Sequence, residues 1–448
     1  MGAFHAYDIR GIYNRDFSKE DVYKMGFFLP AILKTDRILV GRDVRVSSPE
    51  IFEALTQGIT DAGCDVFDIG LSTTPMVYYG TFKYGFKGSV QITASHNPRE
   101  YNGLKVSREN AAPVGYDTGL KELEELVKNG KVELAIIKGE VKELNVKDDY
   151  IAFLRRCRTD YSNLKIAADL SNGMAALIAE DVLGTDIHYL FKELDGTFPN
   201  HEANPLVREN VAALKRTVVE NSYDIGLIFD GDADRVMFVD EKGQFISPDL
   251  MIAVLGHYFF EEKGQKGVVL QDIRGSKAVG EYLAKNWNAE VFTWRVGRAF
   301  AAPKLREIDG LFGGELAGHY YFKDFSYSDS GMMAALILLG IFARMKSDGV
   351  SVSQLIARIA VYKNSGEINY KIEDKTGAMK AVCDYFKSVE KPTGAMDFDG
   401  YRIEFPEWWF NIRPSNTEPC LRFIAEAKTE EMLAEKLEQV NEILKQFS

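Results

Sequence analysis

The alternation of strand-like and helix-like segments along the chain restricts its fold more than any other feature. Residues 37–41 (Arg-Ile-Leu-Val-Gly) form a short apolar run that reads as a buried strand. Ser48-Pro49 then gives a helix start, with a capping hydroxyl and a proline at the first helical position. Ile51, Leu55, Ile59 and Ala62 follow at helical spacing until Gly63, and residues 64–69 (Cys-Asp-Val-Phe-Asp-Ile) read as the next strand. The unit is β-α-β. Similar strands precede glycine-containing turns at 165–169 and 267–271, which predicts layered α/β domains, not separate all-α and all-β blocks. No strict period accompanies these units, so an internal repeat rests on their lengths alone. For a chain of 448 residues, a norm of roughly 150 per domain gives about three domains, with two or four also compatible.

The C-terminal stretch differs. Lys363-Asn-Ser-Gly366 reads as a linker, and a glycine-rich, strand-like region follows it. The chain ends in a helix started by Thr429, with Glu430 and Glu431 in the first turn and Leu433, Leu437, Val440, Leu444 and Phe447 on one face. That face is core packing.

A net charge of −12 weighs against nucleic acid or an anionic membrane as partner, although 54 Lys and Arg leave room for a local basic pocket. Cys64, Cys157, Cys383 and Cys420 form no CxxC or Cys/His pattern, which points to reduced thiols. The N-terminus lacks a basic start followed by an apolar core, and no uncharged apolar run approaches the roughly 18 residues of a membrane span. The expectation is a cytoplasmic protein.

Thr93-Ala-Ser-His-Asn-Pro98 follows the apolar stretch 90–93, which places Ser95 on a turn just past a strand, beside His96. A serine hydroxyl is a weak nucleophile until its proton is removed or the atom it attacks is activated. No G-x-S-x-G elbow surrounds it, so a hydrolase triad is not supported, and by itself the motif fits a capped turn equally well. Asp230-Gly-Asp-Ala-Asp-Arg235 lies between two apolar runs, 225–229 and 236–239, that read as paired strands. Gathering Asp230, Asp232 and Asp234 without a cation would be costly, and a hard divalent ion resolves this through oxygen ligands. The spacing resembles an EF-hand loop, but Arg235 stands where a glycine is needed and the flanks are strands. Open coordination sites would suit Mg²⁺ bridging to a phosphate.

Arg413-Pro-Ser-Asn-Thr417, with Arg422 beyond it, assembles a guanidinium, hydroxyls, an amide and backbone N–H groups suited to cradling phosphate. A polar surface turn fits it as well. Gly313-Gly-Glu-Leu-Ala-Gly-His319 offers close backbone approach, with Glu315 as acceptor for sugar hydroxyls and His319 as a donor or proton relay. Arg10, in Tyr7-Asp-Ile-Arg10, and Lys105, in Asn102-Gly-Leu-Lys105, supply further cations.

With these motifs in this order, the chain resembles the α-D-phosphohexomutases of the phosphomannomutase/phosphoglucomutase kind, from YDIRG through GRDVR, TASHNP, DGDADR and GELAGH to RPSNTEP. The resemblance implies three related mixed α/β domains and a smaller α+β C-terminal domain around a central cleft. The expected boundaries are 1–142 with the serine, 143–245 with the metal loop, 246–362 with the sugar loop and 363–448 with the phosphate site. It implies Ser95 as phosphoserine and, with Asp230, Asp232 and Asp234, as a ligand of Mg²⁺. Acid/base or charge roles would fall to Arg10, His96, Lys105 and His319. Substrate contacts would fall to Arg235, Arg298, Glu315, Ala317, Arg413, Ser415, Asn416, Thr417 and Arg422. The implied activity interconverts mannose or glucose 1- and 6-phosphates, with glucose or mannose 1,6-bisphosphate as activator. Ala317 stands where relatives often carry Ser, which blurs sugar specificity. Arg298 stands where they often show His, which would strengthen the distal phosphate grip. A phosphoglucosamine mutase, a metal-dependent sugar phosphatase and a catalytically silent sugar-phosphate binder are the alternatives.

Overall fold

A computed structural model of the protein describes residues 2–415 and 420–447. Its first three sheets repeat one arrangement. In the first, strand Arg37–Arg42 runs parallel to both Asp65–Leu71 and Gly88–Ile92, and Gly88–Ile92 folds back antiparallel onto Tyr101–Arg108. In the second, Ile166–Asp169 lies between parallel neighbours His188–Leu190 and Ile225–Phe229, and Ile225–Phe229 turns back onto Val236–Asp240. In the third, Val269–Asp272 lies between Val291–Trp294 and Phe312–Gly314, and Phe312–Gly314 turns back onto Tyr320–Phe322. The repeat is one of topology, which explains why no sequence period marks it. The tip of each hairpin carries one of the motifs read from sequence: Ser95, the three aspartates, or Glu315 to His319.

Each middle strand is covered on both faces, and its residues are correspondingly apolar: Ile38, Leu39 and Val40 in the first sheet are fully buried. Helix Ser48–Asp61 packs Ile51, Leu55 and Ile59 inward. Its N-cap is Ser47, not Ser48, and Ser47 makes no side-chain capping bond. The Ser48 hydroxyl instead donates to Asp43 Oδ1 at 2.6 Å, because the buried carboxylate at the end of the middle strand requires donors.

The fourth sheet is antiparallel throughout and is centred on Trp408–Pro414 and Leu421–Ala427, with helices Lys375–Val389 and Glu430–Leu444. The stretch read as a linker joins it: Lys363–Asn364 pairs with Glu426 and Ala427. An exposed strand this short carries too little apolar signal to be told from a loop. Thr429 caps the last helix by accepting from the Met432 N–H, and Leu433, Val440 and Leu444 are buried as the periodicity requires. The cysteines are free, and among the described residues no helix is long and apolar enough to cross a membrane.

Candidate active site

The three hairpin tips and the C-terminal sheet surround a cavity of about 820 Å³. Arg10, His96, Lys105, Asp234, Arg235, Arg298, Glu315, Ala317, His319, Arg413 and Arg422 line it, whereas Ser95, Asp230 and Asp232 lie fully buried behind the lining. Ser95 sits in the left-handed region at φ +51°, a conformation a non-glycine residue keeps only where its surroundings enforce it. The enforcement comes from both sides. Its N–H donates to Thr93 Oγ1 at 2.9 Å. Arg45, 1% exposed, donates to the carbonyls of Ser95 (2.7 Å), Asn97 (2.8 Å), Pro98 (2.7 Å) and Tyr101 (3.0 Å) while pairing with Asp43. The hydroxyl that results donates to Asp230 Oδ2 at 2.9 Å and lies 3.3 Å from His96 Nδ1. Burial in the cleft, then the charges of Arg235, Arg10 and Lys105, hold His96 well below the usual histidine range, so its imidazole is neutral. Arg10, paired with Asp8, donates to Asn97 Oδ1 at 2.7 Å and braces the same loop.

The acidic loop packs directly against the serine loop. A Cβ on Gly231 would stand 2.5 Å from the Ser95 carbonyl oxygen, so only glycine permits the approach. Ligand oxygens of Asp230, Asp232 and Asp234 come within 4.8 Å of one another. Burial, then the charges of Asp234 and Asp232, push Asp230 well above the carboxylate range. Lys105 Nζ bridges Asp232 and Asp234 at 2.6 and 2.5 Å. Burial opposes its charge, but the two aspartates outweigh this and hold the ammonium above its usual range. Asp232 Oδ1 and Asp234 Oδ1 remain buried with no hydrogen-bond partner. Orphaned hard oxygens on converging carboxylates fit a divalent cation.

In the third hairpin, Glu315 is 2% exposed; it accepts from Tyr321 Oη at 2.5 Å and from the Gly297 N–H at 3.1 Å. Burial raises its pKa. An antiparallel bridge joins His319 to Arg235, tying this loop to the acidic one. Arg298 does not join the distal arginines. Its Nε donates to Asp329 Oδ1 at 3.0 Å and its Nη2 to the Ala111 carbonyl at 2.7 Å, because a fully buried Asp329 needs a cationic partner nearby. At the far end, Glu367 stands among Arg422 (2.9 Å), Arg274 (3.6 Å) and Arg413 (3.9 Å). The Ser415 N–H donates to the Cys420 carbonyl at 2.9 Å. Asn416 and Thr417 lie outside the described residues.

The family models for phosphoglucomutase/phosphomannomutase alpha/beta/alpha domains I, II and III match residues 1–133, 148–243 and 247–362, and that for the C-terminal domain matches 367–443. The chain belongs to the phosphoglucomutase/phosphomannomutase family. Among its relatives in the family, a phosphomannomutase of Vibrio cholerae is 33% identical across 100% of this chain and 99% of its own length. A phosphomannomutase of Methanocaldococcus jannaschii is 35% identical across 98% of this chain and 97% of its own. The crystal structure of a phosphoglucomutase/phosphomannomutase family protein from Burkholderia thailandensis superposes with a TM-score of 0.86 at 26% identity, covering 99% of this chain and 97% of that one. The protein is thus an isomerase of the phosphohexomutase type, with an acidic group able to hold a metal.

Within this phosphohexomutase, the sequence motifs assign no role to Arg45, although GRDVR contains it, and do not include Arg274, Asp329 or Glu367. A signal for two of them exists. Asp43-Val-Arg45 and Asp272-Ile-Arg274 each close a middle strand with an aspartate that grips the arginine two residues on, and Asp8-Ile-Arg10 has the same spacing. Asp329 and Glu367 carry no such mark.

Proposed function

We propose that this phosphohexomutase interconverts hexose 1-phosphate and hexose 6-phosphate, with mannose and glucose as sugars, through a phosphoryl group carried on Ser95 and a hexose 1,6-bisphosphate held in the cleft. The carrying observation is the hydrogen bond from Ser95 Oγ to Asp230 Oδ2 at 2.9 Å, which puts a hydroxyl against carboxylates that have oxygens to spare. The full-length relatives named phosphomannomutase support mannose as a substrate.

Asp230, Asp232 and Asp234, with Ser95, would hold Mg²⁺, which when bound neutralises charge on the transferring phosphoryl group. The sugar hydroxyl oxygen attacks the phosphorus on Ser95; its O–H bond breaks, and His319 takes the proton. The Ser95 Oγ–P bond breaks as the new O–P bond forms, and Oγ leaves with the bonding pair as an alkoxide that takes a phosphoryl group back in the return step. Lys105 and Arg10 supply positive charge beside the transferring group. Arg413, Arg422 and the loop through Ser415, Asn416 and Thr417 hold the phosphate that is not reacting, and Glu315 accepts from sugar hydroxyls. The bisphosphate then exchanges its two phosphates between these ends and returns one to Ser95. Glucose or mannose 1,6-bisphosphate primes the serine.

A coupled assay with mannose 1-phosphate, glucose 1-phosphate and glucosamine 1-phosphate, plus catalytic 1,6-bisphosphate, tests the reading. The expected result is turnover of mannose or glucose 1-phosphate, a phosphoryl adduct mapped to Ser95, and loss of activity in Ser95→Ala. Preference for glucosamine 1-phosphate would make it an amino-sugar mutase, and steady release of inorganic phosphate without isomerisation a phosphatase. Near-normal activity in Ser95→Ala would refute the phosphoserine.

A further inference from the structure

One nitrogen of the His319 imidazole is already committed. Nδ1 lies 2.6 Å from Asp329 Oδ2, within hydrogen-bond distance, while Asp234 Oδ1 stands farther off at 3.7 Å. Nε2, on the opposite edge of the ring, has no hydrogen bond to any described residue and is left to the cavity that His319 lines. Asp329 is fully buried on strand Ser328–Asp329, which pairs with Tyr320–Phe322 immediately after His319. Its other oxygen accepts from Arg298 Nε. Arg298 is fixed in its turn by the Ala111 carbonyl and by the Tyr78 ring, whose centroid is 3.7 Å from the guanidinium carbon. The chain of contacts therefore runs from the first α/β unit, through Arg298 and Asp329, to a single ring nitrogen.

We propose that Asp329 is a positioning residue for His319: held by Arg298, its carboxylate accepts the Nδ1 proton, keeps the lone pair on Nε2 and aims that nitrogen at the sugar hydroxyl. This deepens the mutase reading and rests on it. The chemistry follows from what each group can do. An ionised carboxylate only accepts, so a neutral His319 must carry its proton on Nδ1. When the sugar oxygen bonds to the phosphorus, its proton passes to Nε2, and the imidazolium that forms sits against a negative charge. When the phosphoryl group returns to Ser95, the proton goes back to the freed sugar oxygen and His319 is neutral again. Arg298 keeps the carboxylate from turning towards Lys105, the other cation that acts on it.

Nitrogen-15 NMR of the histidines in the full-length, Mg²⁺-loaded protein reads the tautomer directly. The expected wild-type signature for neutral His319 is a protonated Nδ1 and an unprotonated Nε2. In Asp329→Asn the amide NH₂ can donate to Nδ1, which moves the proton to Nε2. Loss of an oriented base predicts a fall in kcat of about 100- to 1,000-fold in Asp329→Asn with KM within about twofold. In a His319→Ala background the same change should cost less than about threefold more, because its route of action is gone. A proton on Nε2 in the wild type, or an equal loss from Asp329→Asn in both backgrounds, would overturn the proposal. The wild-type spectrum does not depend on any variant folding. If the wild type interconverts no hexose phosphate, the mutase reading fails, while the tautomer still decides what Asp329 does to His319.

Discussion

The two ends of the cavity differ in their unsatisfied carboxylate oxygens, which only the acidic end has among the described residues. Among buried side chains of the described residues, the only carboxylate oxygens without a hydrogen-bond partner are Asp232 Oδ1 and Asp234 Oδ1, in the acidic loop. At the other end the atoms to spare are donors, Arg413 Nε and Nη1. A phosphate can bind the second surface directly, since guanidinium N–H groups match its oxygens. It cannot bind the first, because converging carboxylates repel it unless a cation stands between. A molecule carrying two phosphates would therefore meet one end through a metal and the other through arginines. The ends also differ in how they are held. The serine and acidic loops touch at Gly231, and Thr74, at the start of helix Thr74–Lys83, donates its hydroxyl to Asp232 Oδ2 at 2.5 Å, so this end is assembled without ligand. The arginine end gathers Arg274 from the third α/β unit and Arg413 and Arg422 from the C-terminal sheet around one carboxylate, Glu367.

Removing the cation should break the comparison at its acidic end with the largest effect. Chelation is expected to abolish mutase turnover, with Mg²⁺ restoring it. Asp232→Asn should lower kcat by about 100- to 1,000-fold even at saturating Mg²⁺, the usual scale for losing preorganised electrostatics at a reacting centre. The same cation should raise the wild-type Tm by neutralising the buried aspartates, and the gain should shrink in Asp232→Asn. Full activity in the presence of chelator would show that Lys105 alone suffices. The arginine end should respond differently. Arg413→Ala is expected to raise KM for hexose phosphates about 10- to 100-fold, matching the loss of hydrogen bonds to a charged group worth about 1.5–3 kcal/mol. It should leave phosphorylation of Ser95 intact, as read by mass spectrometry. Equal effects of both substitutions on KM would erase the distinction between the ends.

How far the sequence reached depended on whether a feature is local. The β-α-β unit at 37–71 was legible because apolar period and turn chemistry change within a few residues. The acidic loop was legible because three aspartates in five residues have few stable explanations. The role of Arg45 was not, although GRDVR contains it, since an arginine reads as surface and only the closed fold brings four carbonyls around it. Asp329 and Glu367 were hidden for the same reason: Asp329 meets Arg298 and His319 from other elements of the third unit, and Glu367 meets Arg274 from that unit and Arg413 and Arg422 from its own sheet. The misplaced cap at Ser48 follows this logic as well, because the buried Asp43 that claims its hydroxyl is a tertiary neighbour.

The smallest expected effect concerns how the acidic end is walled. His201 Nε2 lies 3.1 Å from Asp169 Oδ2, at the end of the second middle strand, and the residues after it, Glu202, Asn204, Leu206 and Val207, line the cavity. Burial works against a charge on His201, but the hydrogen bond and charge of Asp169 prevail and raise its pKa above the usual value. A pKa raised on folding stabilises the fold fully below the unfolded value near 6.5, and the stabilisation is lost as pH rises through the folded value. The Tm difference between wild type and His201→Gln should accordingly be largest at about pH 6 and should shrink by about pH 9. Mutase activity should follow the same trend weakly, because the wall at Glu202 to Val207 loosens while Asp232 and Asp234, held by Lys105 and Thr74, do not move. A Tm difference that grows with pH would mean that neutral His201 is the form the fold prefers, and that Asp169 is held by the Ser171 N–H at 2.9 Å instead.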